Sequence, residues 1–221
     1  MKDVKSTITQ VEKQRRHPRY NIYVDGEYAF AAHEDLVVKY RLLKGSVLDT
    51  EQIQQIIQED EYHQAYLYSI RMIGRRPHSI KEVKEKLATK GYDVRTADAV
   101  TAKLKEQGYV NDLQFAQMWA DHRVRLQKKG IRWVRHELQQ KGISKDKIET
   151  ALAGLDSEAE WGGALQLAEK KWRQTKGARL DKRRKVTAYL LRRGFSSSVV
   201  KKALNQVDVR EALEEEELDE Y

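Results

Sequence analysis

Apolar residues recur at helical spacing through most of the chain, and one stretch shows the design most clearly. In KKGIRWVRHELQQKGISKDKIETAL, residues 128–152, Ile131, Val134 and Leu138 fall at i, i+3 and i+7 and so share one helical face. Arg132, Arg135, His136 and Gln139 form the opposite stripe, which is polar and basic. Leu138, Lys141, Gly142 and Ile143 then spell a Schellman ending, with glycine in the left-handed position and an apolar residue folding back on Leu138.

The same signal recurs as Leu87, Lys90, Gly91 and Tyr92, and again as Leu190, Arg193, Gly194 and Phe195. The three glycines lie 51 and 52 residues apart, and the same offsets relate Val83, Val134 and Val186; Leu104, Leu152 and Leu204 mark the ends of the helices that follow. A fixed period with one terminator predicts an internal repeat of a small helical unit that stacks on its neighbours. The first copy is longer by three residues between Gly91 and Leu104.

Each copy opens with a longer helix whose apolar positions share the offsets +3, +4, +7 and +11. These are Tyr62, Ala65, Tyr66, Ser69 and Ile73; Phe115, Met118, Trp119, His122 and Leu126; and Trp161, Ala164, Leu165, Ala168 and Trp172. All three are predicted core stripes. Ser79 with Glu82, Asn111 with Gln114 and Ser157 with Glu160 have capping-box spacing, and Ser144 and Asp181 read as simple N-caps.

The amino-terminal part follows a period of two instead. Thr7 to Val11, Tyr20 to Val24 and Glu27 to Ala31 alternate, with Tyr28 and Phe30 on one face, and Asp25-Gly26 is a hairpin signal, so a three-stranded meander is predicted. Residues 33–41 read as a short helix, Lys44-Gly45 as a turn, and Asp49 with Gln52 as a capping box opening a helix through Ile53, Ile56 and Ile57. The expected fold is mainly α, with three tandem three-helix repeats forming an elongated array behind a small β-meander with short helices. The segments are a β-containing extension at 1–58, repeats at 59–110, 111–155 and 156–208, and an acidic tail at 209–221.

Charge changes the picture from fold to partner. The chain of 221 residues carries a net +8, yet seven of its 34 acidic side chains lie within residues 211–221, so the rest sets 42 basic against 27 acidic groups, a net +15. That excess favours a polyanionic partner. The tail reads either as a solubilising end or as a segment that occupies the basic surface in competition with the polyanion. No apolar run long enough for a bilayer and no secretory apolar region at the start are seen, and there is no cysteine, so a cytoplasmic monomer without disulfides is expected.

The cations follow the repeat. Lys81, Arg132 and Arg184 are equivalent by the period, as are Lys90, Lys141 and Arg193, and stacked repeats would set them along one surface. The second set lies in a last helical turn, where the macrodipole alone favours a cation; Arg132, near a helix start, gains nothing from it. Arg123, Lys128 and Lys129 thicken the basic patch. Trp119, Trp161 and Trp172 lie in core stripes, whereas Trp133 stands off its stripe, either as an exposed anchor or packed against the neighbouring repeat. There is no GxxxxGK loop and no HExxH, and the six histidines show no metal spacing with carboxylates, so no catalytic residue, metal or cofactor is predicted.

The runs AYLYSIRMIGRRPHSIKEVKEKLATKGY, GYVNDLQFAQMWADHRVRLQKKGIRWVRHELQQKGI and KVTAYLLRRGFSSSVVKKAL resemble the RecX family, regulators of the RecA recombinase. The resemblance covers about residues 60–207, and DGEYAF with LLKGSVLD is similar to the extension of longer members. Its most specific part is the GYxND join followed by KKGIRxVRxELxxKGI; His78 and Asn111 depart from the pattern, standing where a basic and an acidic residue are commoner. The resemblance implies a non-enzymatic modulator that binds along the groove of the RecA filament on single-stranded DNA, with double-stranded DNA as a second candidate, and reduces ATP hydrolysis, strand exchange and coprotease activity. On the charge pattern, Lys81, Arg123, Lys128, Lys129, Arg132, Arg135, Arg184 and Arg193 are the expected contacts. Two other classes stay open: a sequence-specific regulator, since residues 79–110 have a helix-turn-helix rhythm, and a scaffold for an acidic protein surface with no DNA affinity.

Overall fold

The computed structural model describes residues 5–219, except the side chains of Ser157 and of residues 211–219. The described residues form two compact units, 5–77 with 83–109 and 78–82 with 110–219. The fold is mainly helical, with three three-helix repeats behind an antiparallel sheet.

The sheet contains β1 (Lys5–Lys13), β2 (Arg19–Val24), β3 (Glu27–His33) and β4 (Val47–Asp49), in the order β3-β2-β1-β4. It has a fourth strand beyond the predicted meander, because β4 is only three residues long and shows no alternation; it pairs with Lys5–Thr7. Asp25 and Gly26 both take positive φ, 49° and 91°, as a two-residue hairpin requires. Tyr28 and Phe30 do not share a face: a register shift at Ile22/Tyr23 opposes Ile22 to Phe30 but Tyr23 to Tyr28, which buries Phe30 and leaves Tyr28 outside against the edge of Tyr23.

Helix α1 (Glu34–Lys39) follows β3, and Asp49 caps α2 (Thr50–Ile73) through a complete capping box with Gln52. Helix α2 runs unbroken past residues 58–59. Ile8, Ile22, Phe30, Leu36, Leu42, Leu48 and Ile56 form the core beneath the sheet. Buried Asp60 of α2 holds the helix to the strands: it accepts from both Arg19 terminal nitrogens at 2.7 and 3.1 Å and from the His33 amide at 2.8 Å. Deleting either partner of such a pair costs about 3–5 kcal/mol, because the other charge is left buried.

Next come α3 (Ile80–Thr89) and α4 (Val94–Glu106), then α5 (Asp112–Asp121), a π-helical turn (His122–Leu126), α6 (Ile131–Gln140) and α7 (Lys145–Ala153), and last α8 (Ser157–Gln174), α9 (Arg179–Arg192) and α10 (Ser197–Asp219). All three Schellman endings form. Tyr92, Ile143 and Phe195 donate their amides to Leu87, Leu138 and Leu190 at 3.1–3.3 Å, with Gly91, Gly142 and Gly194 at positive φ. Val83, Val134, Val186 and the three leucines are fully buried.

The third core stripe is as read, but the second is corrected. Phe115, Ala116, Ala120 and Val124 are buried, while Met118, His122 and Leu126 are exposed; the π-helical turn widens the helix and shifts its phase from His122 onward, whereas Met118, upstream of it, faces outward from α5 itself. Helix α8 is capped by Asp156, not Ser157, whose side chain lies outside the described residues; α9 is capped at Ala178, two residues before Leu180, so Asp181 lies inside it. Side chains of the acidic tail likewise lie outside the described residues, while its backbone continues α10 to Asp219.

Candidate polyanion-binding surface

The site is organised by the way middle helices begin. An α-helix leaves its first amides without intrahelical acceptors, and something else must satisfy them. At α6, three successive amides are satisfied by the third repeat: Gly130 donates to the Arg193 carbonyl (2.9 Å), Ile131 to the Glu160 carboxylate (2.9 Å) and Arg132 to the Gly194 carbonyl (3.1 Å). The approach is close enough that a Cβ on Gly130 would lie under 3.0 Å from the backbone of Gly194 and Phe195. Burial holds the Glu160 carboxyl above its usual range, opposed by the Ile131 amide and by the charge of Arg132.

Residues 78–82, the first turn of α3, meet the end of α6 in the equivalent way. Ser79 Oγ donates to the Lys141 carbonyl (2.8 Å), Ile80 donates its amide to Asp112 (3.0 Å), and Lys81 Nζ donates to the Gln140 carbonyl (2.8 Å). Ser79 and Glu82 complete the predicted capping box. Lys141 then bonds Glu82 at 2.6 Å and lies 4.0 Å over the Trp119 ring.

The structure thus sorts the eight predicted contacts. Lys81 is in this joint; Arg193 spreads its guanidinium over the carbonyls of Gln127 (2.6 Å) and Lys128 (3.3 Å). Arg123 bonds Glu137 (2.8 Å) while stacked 4.3 Å over Trp119, and Arg135 makes a bidentate pair with Glu149 at 2.9 and 3.0 Å, which raises the Arg135 pKa and lowers that of Glu149. Lys128, Lys129 and Arg132 stand around the second joint: Lys128 at φ 50°, Lys129 4.0 Å over Trp133, and Arg132 exposed. Burial first, and then the neighbouring Arg193 charge, hold the Lys129 ammonium below its usual pKa. Trp133 therefore answers both readings at once, half-exposed beneath Lys129 and with its backbone against Gly194.

Arg184 lies elsewhere, in a cleft of about 640 Å³ between α8 and α9. Its lining holds five cations, Lys171, Lys176, Arg184, Lys185 and Arg192, with Gln174, Thr175 and Ala188. No acidic side chain is among those lining residues, so the potential inside is strongly positive. Lys185 and Arg192 belong to the basic clusters 182–185 and 192–193 that the sequence shows, whereas Lys171 and Lys176 were not singled out; the spacing i, i+4, i+8 sets Arg184, Ala188 and Arg192 on one face of α9.

Family models match nearly all of this architecture. The regulatory protein RecX N-terminal domain matches residues 6–49, and the first, second and third three-helix domains of RecX match residues 65–104, 111–152 and 158–204. A curated relative called regulatory protein RecX, from Clostridium perfringens, is 33% identical over 206 residues, spanning 90% of this chain and 96% of its own. One from Lacticaseibacillus paracasei is 29% identical over 204 residues, spanning 92% and 85%. A crystal structure of regulatory protein RecX superposes with a TM-score of 0.73 at 30% identity, over 90% of this chain and 99% of that one. A RecX structure from Lactobacillus salivarius shares the fold at 22% identity and a TM-score of 0.64, over 68% and 99%.

Proposed function

The chain belongs to the RecX family of regulatory proteins, and on that premise we propose that it is a negative modulator of the RecA recombinase. It binds along the groove of the RecA filament on single-stranded DNA and lowers ATP hydrolysis, strand exchange and coprotease activity. The observation that carries this reading is the cleft between α8 and α9, where five cations converge without an acidic neighbour in the lining. Such a group suits successive phosphates or an acidic filament surface.

Lys128, Lys129, Arg132 and Arg184 are the first contacts in this proposal. Arg135 joins at small cost, since exposed pairs such as the one with Glu149 hold by no more than about 1 kcal/mol. Lys81 and Arg193 contribute charge from beside the joints they help to close, and Arg123 from its place against Glu137 and Trp119.

The test is the single-strand-dependent ATP hydrolysis of RecA, with this protein titrated in at a salt concentration where it does not bind bare DNA. Loss of hydrolysis well below one copy per RecA subunit is expected. The Arg132→Gln, Arg184→Gln double variant should need more protein for the same effect and lose about one unit of salt slope per phosphate contact removed. No change in hydrolysis up to equimolar wild type overturns the reading and moves the chain toward a sequence-specific DNA regulator.

A further inference from the structure

A second constellation lies in the first unit, far in sequence from any predicted contact. His33, at the end of β3, is the N-cap of α1; Asp35 is in the first turn of α1; His63 is in the middle of α2. The two imidazoles pack with centroids 4.5 Å apart, and Asp35 Oδ2 lies 3.2 Å from His33 Nδ1 and 3.7 Å from His63 Nε2. All three potential ligand atoms lie within 4.8 Å of one another.

The hydrogen-bond inventory of these atoms is what makes the cluster informative. His33 Nδ1 accepts the Asp35 amide at 3.3 Å, which is the role of an unprotonated ring nitrogen, yet it also faces a carboxylate oxygen, another acceptor. His63 Nε2 is shut off from solvent and has no hydrogen-bond partner. Three potential ligand atoms therefore converge: His63 Nε2 holds no hydrogen bond, and at His33 Nδ1 a bound ion would take the place of the Asp35 amide.

We propose that His33, Asp35 and His63 form a site for a divalent transition metal of the zinc class. Tetrahedral ligation at about 2.0–2.2 Å separates neighbouring ligand atoms by roughly 3.3–3.6 Å, and the distances from Asp35 Oδ2 to the two ring nitrogens, 3.2 and 3.7 Å, fall just to either side of that range. The side chain of Asp35 is 67% exposed, so water reaches one flank and can supply the remaining coordination. Asp60, which accepts the His33 amide, orients one ligand from behind and adds negative charge; Arg19, paired to Asp60, offsets part of it. A bound ion would tie the β3–α1 corner to α2.

The test uses the full chain stripped with a chelator and then titrated with Zn²⁺ by calorimetry and with Co²⁺ by visible absorption. The wild type should take one equivalent, give the absorption of a low-coordinate Co²⁺ site and melt at higher temperature with Zn²⁺. Asp35→Asn, at an exposed position that leaves the fold intact, and His63→Gln should each weaken binding at least tenfold, while His122→Gln, at an exposed histidine outside the cluster, should bind as wild type. Circular dichroism of each variant separates loss of ligation from loss of fold. Absence of stoichiometric binding by the wild type, or equal affinity in folded Asp35→Asn, overturns the proposal.

Discussion

The first turns of α3 and α6 occupy equivalent places in the repeat, and each meets the end of another middle helix, but through different atoms. In one, a hydroxyl and an ammonium reach out to carbonyls; in the other, backbone meets backbone, because Gly130 has no Cβ to hold the chains apart. Their charge differs too. Lys141 at the first is answered by Glu82, whereas Arg193 at the second rests on carbonyls with Lys128, Lys129 and Arg132 around it. The period fixes where a joint falls, while side chains at equivalent positions decide whether it is neutral or carries excess positive charge.

The comparison breaks most sharply at residue 130. Gly130→Ala should destabilise the chain by about 3 kcal/mol, the upper range for overpacking, since its φ of −73° suits alanine and only the clash opposes it. Gly130→Ser, which copies Ser79, should be no better; chemical denaturation of both variants is the check. A smaller loss follows at the first joint. Ser79→Ala removes a cap and a donor to a carbonyl, at about 1–2 kcal/mol, read by the same denaturation curves.

The smallest effect concerns Glu160. Its folded pKa is raised, chiefly by burial, so the folded state holds the proton more tightly than the unfolded one. Stability from this group is greatest below the ordinary carboxylate range and declines as pH rises through the elevated folded value. Glu160→Gln keeps an acceptor for the Ile131 amide, so it should lose that decline and stay within about 1 kcal/mol of wild type at neutral pH. Melting temperatures measured across the acid range test the sign.

What could be read from sequence was what local chemistry determines. Each Schellman ending needs only a leucine, a glycine and an apolar residue in a row of six, and the boxes at Asp49 and Ser79 need four residues. The phase of the second core stripe from His122 onward was not legible, because nothing in HRVRL announces a π-helical turn. Glu160, read as half of a capping box with Ser157, instead caps α6 from 29 residues away. Cation clusters were visible, but their partners were not: Arg123 with Glu137 and Arg135 with Glu149 are each 14 residues apart. The His33, Asp35 and His63 cluster exists only because the corner between β3 and α1 comes to lie on α2.

The sealed start of α6 also turns the second joint into a clock. The amides of Gly130, Ile131 and Arg132 have acceptors only in the third repeat, so exchange with deuterium at these three positions requires the repeats to part, not merely a helix end to fray. Their common exchange rate measures how often the joint opens, and its slowing on a polyanion would measure how firmly that ligand holds it shut.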